Sequence, residues 1–217
     1  MHLLDLIYPP RCGGCRRSNW AWCPQCAAET KPLAATDLHG VPLIAAGRLE
    51  GPLQRAIHIY KYRPRPYLAA AMAGVLAAAV QDSGLGLSCL TFVPLHPARR
   101  RERGFNQAER LARELGKALS LPLVRGLERV RPTPPQVGSL RAERRANVAG
   151  AFAWLSPQPP PAGLGLVDDV CTTGATLEAA GAAVAQAGGR LAAYLVLARA
   201  QTLPALAVTF PGQPACP

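Results

Sequence analysis

One short stretch in the second half of the chain constrains its fold more than any other. Residues 164–176 read LGLVDDVCTTGAT, an apolar run that ends in two carboxylates and leads into a threonine and glycine segment. The apolar run predicts a buried strand, and residues 176–187 have the apolar spacing of a helix. A strand, a short loop and a helix in this order form one unit of an open α/β sheet. Such sheets bind ligands at the carboxyl ends of their strands.

The loop and the acidic residues suit two parts of one ligand. Backbone N–H groups and hydroxyls of the loop can point at a phosphate, and the positive end of the helix adds to the attraction. Gly174 allows a close approach because it has no Cβ. Asp168 and Asp169 would repel that phosphate, so we expect them to bind neutral ribose hydroxyls. The predicted ribose 5-phosphate pocket comprises Asp168, Asp169, Thr172, Thr173, Gly174, Ala175 and Thr176.

A simpler interpretation of the same residues is an ordinary strand and helix, in which an Asp or Thr side chain caps the helix. The apolar run, the acid pair and the TTGAT loop occur together, and this combination favours the phosphate pocket. Cys171 lies within the loop and is interpreted as a small filler residue, not as a reactive thiol.

The flanking sequence predicts strands that alternate with helices. Helices are expected at 51–62, 66–81 and 105–119, and strands at 89–95, 121–124, 151–155 and 191–197. The first strand is followed by HPARRRERG, interpreted as a basic loop. Alternating elements predict an α/β fold with a mostly parallel central sheet flanked by helices.

Three regions differ in composition. We divide the chain into a cysteine-rich head (1–35), an α/β body (36–200) and a Pro- and Gly-rich flexible tail (201–217). Within the body, residues 131–138 are rich in proline and show no apolar period, which is typical of a mobile lid, and a charged helical turn is expected at 140–148.

The chain of 217 residues carries a formal net charge of +11. Such a surface attracts phosphates, whether of a nucleotide, a sugar phosphate or a nucleic acid. The longest apolar stretch, at 69–80, is far shorter than a bilayer span, and the first ten residues do not have a signal-peptide pattern. We therefore expect a cytoplasmic protein with no membrane span.

The head contains two CxxC pairs separated by seven residues. Four thiolates at this spacing can surround one tetrahedral ion, and a short segment with almost no core needs such a crosslink. We predict structural zinc, with iron or two disulfides as alternatives, bound by Cys12, Cys15, Cys23 and Cys26. A closed four-cysteine site has no open position for catalysis, which favours a structural role.

The segment 164–176 resembles the phosphoribosyl pyrophosphate motif of type I phosphoribosyltransferases. The cysteine pairs, YKYRPRP (60–66), residues 93–112 with RGFNQ, residues 131–152 and the phosphate motif occur in one order, and this order resembles the ComF family. The resemblance implies a type I phosphoribosyltransferase-like fold with a double-zinc-ribbon-like head. Its signature positions in this chain include Arg131, Thr133, Gln136, Arg141, Arg144, Arg145 and Asn147.

The resemblance also implies a chemistry, in which a nitrogen nucleophile displaces pyrophosphate from the sugar. This reaction needs orientation, charge stabilisation and exclusion of water. Candidate catalytic residues are Asp168, Asp169 and Arg131. Candidate pyrophosphate-binding residues are Arg99, Arg100 and Arg103, for which a solvated basic face is the alternative. Magnesium is expected together with phosphoribosyl pyrophosphate, held largely by substrate and water.

Two classes of function follow from the resemblance. The first is an accessory role in DNA uptake during natural competence, with single-stranded DNA, a helicase and recombination-mediator proteins as partners. The second is an active phosphoribosyltransferase with an unknown acceptor. A regulator that senses the sugar phosphate and binds nucleic acid combines both, and the sequence leaves the three open.

Overall fold

The computed structural model describes residues 9–62, 66–131 and 147–200, and every structural statement below concerns these ranges. The elements are, in chain order, α1 (Pro24–Glu29), β1 (Thr36–Leu38), β2 (Val41–Arg48), α2 (Gly51–Tyr62), α3 (Pro66–Asp82), β3 (Cys89–Phe92), α4 (Pro97–Arg103), α5 (Gln107–Leu119), β4 (Leu127–Arg129), β5 (Phe152–Trp154), β6 (Leu164–Cys171), α6 (Ala175–Gln186) and β7 (Leu191–Arg199).

A five-stranded sheet forms the centre of the body, with the strand order β1-β2-β7-β6-β3. The β1–β2 hairpin is antiparallel, and the other neighbouring strands run parallel. The first four residues of β6 are fully buried, which explains why this strand reads as a continuous apolar run in the sequence. The predicted α/β fold with a mostly parallel sheet flanked by helices is confirmed.

Helices α2, α3, α5 and α6 pack against this sheet. Leu90, Leu111, Leu115 and Leu166 are completely excluded from solvent in the core. Burial of each such side chain stabilises the fold by about 1.5–3 kcal/mol. The core therefore holds the carboxyl edge of the sheet rigidly, which is where the candidate site lies.

The end of α2 and the start of α5 are joined by hydrogen bonds between buried groups. The Tyr60 hydroxyl donates to the Gln107 carbonyl (2.8 Å), and the Gln107 side-chain amide donates to the Lys61 carbonyl (3.1 Å). Asn106 caps α5 by accepting from the N–H groups of Ala108 and Glu109, and it donates to the Val93 carbonyl after β3. This α2–α5 junction is built from residues of the YKYRPRP and RGFNQ motifs, and it ties both helices to the sheet.

The predicted basic loop after β3 is wrong, because its residues form helix α4. His96 caps this helix by accepting from the Ala98 N–H, Pro97 occupies the first turn, and Gly104 ends the helix with φ of 76°. Proline at the start and glycine just past the end are typical boundary residues of a helix. In the sequence, the run of charged residues was interpreted as a loop, so these helix-boundary residues were not recognised.

Two further strand predictions need correction. At 121–124 there is no strand in the described structure, only an isolated parallel bridge between Leu123 and Leu90. The strand predicted at 151–155 is present as β5, but it pairs antiparallel with β4 in a separate two-stranded sheet. The β1–β2 hairpin was not predicted.

Some predictions lie outside the described residues. The lid at 131–138 and the turn at 140–148 fall mostly within 132–146, and the tail is 201–217. The boundaries of the three regions also stay predictions. None of the helices in the described ranges combines the length and the apolar content that a bilayer crossing requires.

Two glycines in helix interiors give a matched test of packing. A Cβ at Gly116 of α5 would lie 2.7 Å from the Leu121 carbonyl oxygen, whereas a Cβ at Gly74 of α3 would meet nothing within 4 Å. Alanine ordinarily stabilises a helix interior by about 1 kcal/mol relative to glycine. We expect Gly74→Ala to raise the free energy of unfolding by roughly this amount and Gly116→Ala to lower it, both measured by urea denaturation. Equal changes would contradict the packing at Gly116.

Candidate functional site

The acid pair lies inside β6, because this strand continues to Cys171 and does not end at the aspartates as its sequence suggests. Asp168 and Asp169 are partly buried, and Asp168 is in register with Val196 of β7. Neighbouring residues of a strand point to opposite sides of it, so the two carboxyl groups face different surroundings.

Asp169 forms an ion pair with the last turn of α2. The Lys61 ammonium lies 3.3 Å from its carboxylate, and the two side chains are 28% and 14% exposed. The α2–α5 junction fixes Lys61 in this position, because its carbonyl accepts the hydrogen bond from Gln107. The sequence left open whether Lys61 approaches the candidate site, and the structure places its ammonium beside Asp169.

Asp168 has a different environment. Its carboxylate accepts a hydrogen bond from the Asp169 N–H at 2.8 Å. Burial raises its pKa most, the Asp169 charge raises it further, and the Asp169 N–H, Lys61 and Arg129 lower it, with a result of about 7. Asp168 is therefore able to exchange a proton near neutral pH, whereas an ordinary aspartate is fully ionised there.

The loop after β6 has the backbone geometry expected of an anion-binding turn. Gly174 is the N-cap residue of α6 and has φ of 85°, which an L-residue with a side chain rarely adopts. The Thr173 hydroxyl accepts from the Ala175 N–H at 3.4 Å. Gly174 itself offers no side-chain oxygen to the first turn of α6, so the hydroxyl that reaches an N–H group of this turn belongs to Thr173, one residue earlier.

The β1–β2 hairpin packs against this loop. A Cβ at Gly174 would lie 2.8 Å from a methyl group of Leu38, so glycine is required for space as well as for φ. Next to Leu38, the His39 ring nitrogen lies 3.2 Å from the Glu178 carboxylate in the first turn of α6. The hairpin thus forms one wall of the candidate pocket, which the sequence did not predict.

Arg131 follows β4 by two residues, and its catalytic role stays a prediction. It is exposed, and its guanidinium donates to the carbonyls of Asn147 (3.3 Å) and Ala149 (2.6 Å). Arg129 of β4, two residues earlier, is the arginine whose charge acts on Asp168, and it stacks on Phe152 at 5.3 Å. Arg131 instead joins the two chain segments that flank residues 132–146.

The predicted pyrophosphate-binding arginines belong to α4. The side chains of Arg99 and Arg103 lie outside the described part of the structure, as do Thr133, Gln136, Arg141, Arg144 and Arg145. Arg100 is described, and its guanidinium lies 3.5 Å from the Glu109 carboxylate of α5. A pyrophosphate role for these residues stays a prediction.

The four predicted metal ligands come together in the head. The sulfur atoms of Cys12, Cys15, Cys23 and Cys26 all lie within 4.8 Å of one another, and all four cysteines are free. The Cys12 and Cys26 sulfurs are 3.7 Å apart, and those of Cys15 and Cys23 are 3.5 Å apart. Tetrahedral zinc with Zn–S distances of about 2.3 Å requires sulfurs about 3.8 Å apart. The cluster can therefore hold one metal ion.

Local backbone structure shapes this cluster. Burial raises the pKa of the Cys12 thiol, but hydrogen bonds from the backbone at Cys15, Cys23 and Gly14 lower it more, to about 6, which favours the thiolate that a metal requires. The other knuckle begins α1, with Pro24 in its first turn.

The head rests directly on α2. The Arg55 guanidinium donates to the Gly14 carbonyl at 2.7 Å, and a Cβ at Gly14 would lie 2.8 Å from Pro52. Trp22 packs against the cysteine cluster, whereas Trp20 is 45% exposed. The cysteine cluster therefore packs against α2, the helix that carries Lys61, and supports it.

Replacement of one ligand tests the metal centre. We expect Cys12→Ser to lose the bound metal and to lower the thermal unfolding midpoint, because three thiolates do not close the site. Metal content by inductively coupled plasma mass spectrometry is the measurement. Cys89→Ala, which changes a buried cysteine of β3 outside the cluster, is the control and should retain the metal. Equal metal content in both variants would contradict the assignment.

The raised pKa of Asp168 predicts a pH dependence of stability. The folded state holds this proton up to about pH 7, whereas an unfolded aspartate loses it near 3.8. Between these values the folded state binds more protons, so stability is lost as pH rises, with a limiting slope of about 1.4 kcal/mol per pH unit. Asp168→Asn should remove this contribution, so the variant should gain stability relative to wild type from about pH 4 to 7. Urea denaturation across this range measures it, and the exposed Asp82→Asn, as a control, should follow wild type.

No protein-family model matches the chain. Competence protein F of Haemophilus influenzae is 31% identical over 183 residues, which span 76% of this chain and 80% of that protein. The DNA utilization protein YhgH of Salmonella typhimurium is 32% identical over 181 residues (76% and 78%), and the protein of that name from Salmonella typhi is 31% identical over the same length. Similarity at this level over most of both chains establishes common descent. The chain therefore belongs to the ComF family.

Proposed function

We propose that this protein is an accessory factor in DNA uptake and utilization that retains a pocket for ribose 5-phosphate or phosphoribosyl pyrophosphate. The observation that carries the proposal is the similarity, over 76% of the chain, to proteins named for competence and for DNA utilization. We further propose, from the resemblance of its motifs to the ComF family, that its partners are single-stranded DNA, a competence helicase and recombination-mediator proteins, and that it acts in the cytoplasm.

The net charge of +11 supports a polyanionic partner. Nucleic acid binding by basic proteins gains free energy from released counterions, and every neutralised phosphate makes binding more sensitive to salt. Aromatic residues are only 6% of the chain, so base stacking has few platforms. Backbone contacts therefore dominate in this proposal, and binding has little sequence preference.

The geometry of the acid pair and its loop supports the sugar phosphate. The Gly174 turn and the first N–H groups of α6 suit a 5-phosphate, and the aspartates of β6 suit the ribose diol. A neutral carboxyl group donates a hydrogen bond and a carboxylate accepts one. With Asp168 close to half-protonated near pH 7, the pair can do both.

Two metals belong to this proposal. Zinc fits the cysteine cluster, because four soft thiolates at tetrahedral spacing select it over harder cations, and it would hold the head in place. Magnesium would neutralise pyrophosphate charge. Within the acid pair, Asp169 already has a cationic partner, because the Lys61 ammonium lies 3.3 Å away. The magnesium ion would therefore be held largely by substrate and water.

An active phosphoribosyltransferase is the second candidate, favoured by the Lys61–Asp169 ion pair beside a titratable Asp168. In such a reaction Asp169 and Lys61 would orient the ribose, and Asp168 would stabilise positive charge that develops on the sugar when it is ionised. The α6 N-terminus would hold the phosphate in place.

A titration with phosphoribosyl pyrophosphate tests the proposal. We expect the wild-type protein to bind it with magnesium in calorimetry, and Asp169→Asn to weaken binding by tenfold or more, because the variant loses a ribose acceptor and frees Lys61. Glu29→Gln, an exposed acid of α1, is the charge-matched control. A single-stranded oligonucleotide added to the same mixture of protein, phosphoribosyl pyrophosphate and magnesium should bind to the protein. No pyrophosphate should be released from the sugar.

The outcomes separate the candidates. Release of pyrophosphate when a nitrogen nucleophile is supplied would show that the protein is a transferase and would overturn the accessory role. Equal affinities of Asp169→Asn and Glu29→Gln for the sugar phosphate would refute the pocket. Failure of the wild-type protein to bind the oligonucleotide would refute the DNA role.

A further inference from the structure

Three arginines from three different segments converge on one buried carboxylate, that of Glu109 in the first turn of α5. Arg100 of α4 lies 3.5 Å from it, Arg113 of α5 lies 3.2 Å away, and Arg125, between α5 and β4, lies 2.7 Å away. The Glu109 side chain is 8% exposed, whereas the three arginine side chains are 52–59% exposed. We call Arg100, Arg113 and Arg125 the arginine cluster.

The charge of the cluster is not balanced. Three guanidinium groups face one carboxylate, which leaves two positive charges in excess. Each guanidinium carries five N–H donors. The Glu109 carboxylate can accept hydrogen bonds from only some of them, and the remaining donors face solvent. A buried carboxylate needs a cationic partner, but one guanidinium already supplies the opposite charge, so pairing with Glu109 alone does not account for three arginines here. The arrangement is instead suited to a further anionic ligand.

Glu109 also fixes the positions of the arginines. Without an anion between them the three cations would repel one another, and their long side chains would spread. Arg125 is held further by Phe92, whose ring centroid lies 5.8 Å from its guanidinium carbon. Guanidinium groups held in this way lose less conformational freedom when they bind phosphate oxygens.

The cluster lies next to the α2–α5 junction. Glu109 follows Gln107 by two residues, and the Gln107 side chain contacts the Lys61 carbonyl. The next residue of α2 is Tyr62, whose side chain is 65% exposed and whose ring lies 5.0 Å from that of His58. Phosphate-binding cations and an exposed aromatic ring thus flank one helix junction. Proteins commonly bind single strands through cationic side chains that contact the phosphate backbone and aromatic rings that stack on the bases.

We propose that Arg100, Arg113 and Arg125 form a binding surface for the phosphodiester backbone of single-stranded DNA, with Tyr62 as a platform for one base. This inference rests on the proposed function and adds the place where the strand binds. The strand lies across α4 and α5, outside the acid pair, because carboxylates repel its phosphates.

The test measures fluorescence anisotropy of a labelled oligo-dT against salt, with full-length protein. Each neutralised phosphate of a single strand contributes about 0.7 to the slope of log affinity against log salt. We expect Arg113→Gln and Arg125→Gln each to lower the slope by about this amount and to weaken binding several-fold at moderate salt. Arg190→Gln removes the same charge from an exposed residue that precedes β7, at the amino end of this central strand, and should leave the slope close to that of wild type.

Each outcome is decisive. Slopes for Arg113→Gln and Arg125→Gln equal to that of Arg190→Gln, with wild-type binding intact, would overturn the surface and leave the DNA role standing. A wild-type affinity that hardly changes with salt would overturn both. Thermal unfolding checks the fold of each variant. Arg113 lies on the exposed side of α5, so its variant keeps the test valid if loss of the Arg125–Phe92 contact disturbs folding.

Discussion

The ion pair between Lys61 and Asp169 is the interaction on which the candidate site depends. Two adjacent carboxyl groups within a central strand repel each other and lose solvation, and a cation on one side relieves part of that cost. To deliver its ammonium group there, α2 has to end at the sheet edge. The buried hydrogen bonds of Tyr60 and Gln107 hold it there, and Asn106 anchors the same junction to Val93 after β3.

The cysteine-rich head contributes to the site through the same helix. Gly14 lies against Pro52, and Arg55 bonds the Gly14 carbonyl, so the first turns of α2 are held by the head while its last turn holds Lys61. A metal ion that stiffens the cysteine cluster therefore also stiffens one wall of the pocket. This contact gives the cysteine cluster a structural role toward the candidate site.

The sequence predicted the elements whose periodicity is strong and missed those that depend on pairing partners. Helix α2 has the predicted bounds, and the apolar run of β6 with the glycine turn after it was recognisable because each residue type has a local reason. The β1–β2 hairpin was missed because Pro42 and Gly47 interrupt the usual strand composition of β2. Pro42 lies opposite Asp37 of β1, and pairing with β7 begins one residue later, at Leu43. Helix α4 was missed because a run of arginines has no apolar face to reveal its period.

The site was predictable to the same extent. The aspartates and the loop after them are neighbours in the sequence, and the four cysteines form a second such group. Proximity within each group therefore follows from local spacing. The role of Lys61 could not be derived, because its partner lies 108 residues away in the chain and only the α2–α5 junction brings them together. Arg131 was chosen because the family resemblance includes it, whereas the influence of Arg129 on Asp168 depends on the tertiary position of β4, which local sequence spacing does not show.

The two proposed ligands are both phosphates, yet the charges of the site would separate them. A single strand carries a charge at every residue and is attracted to the exposed arginines around Glu109, but the acid pair repels it from the floor of the pocket. A sugar phosphate has its charge at one end, so it can place its phosphate at the α6 N-terminus and its neutral hydroxyls against the aspartates. Under both proposals the carboxylates would therefore discriminate between the ligands, since they would accept a pentose and repel the phosphodiester backbone. One strongly basic protein could in this way bind a nucleic acid on its surface without blocking the proposed pocket.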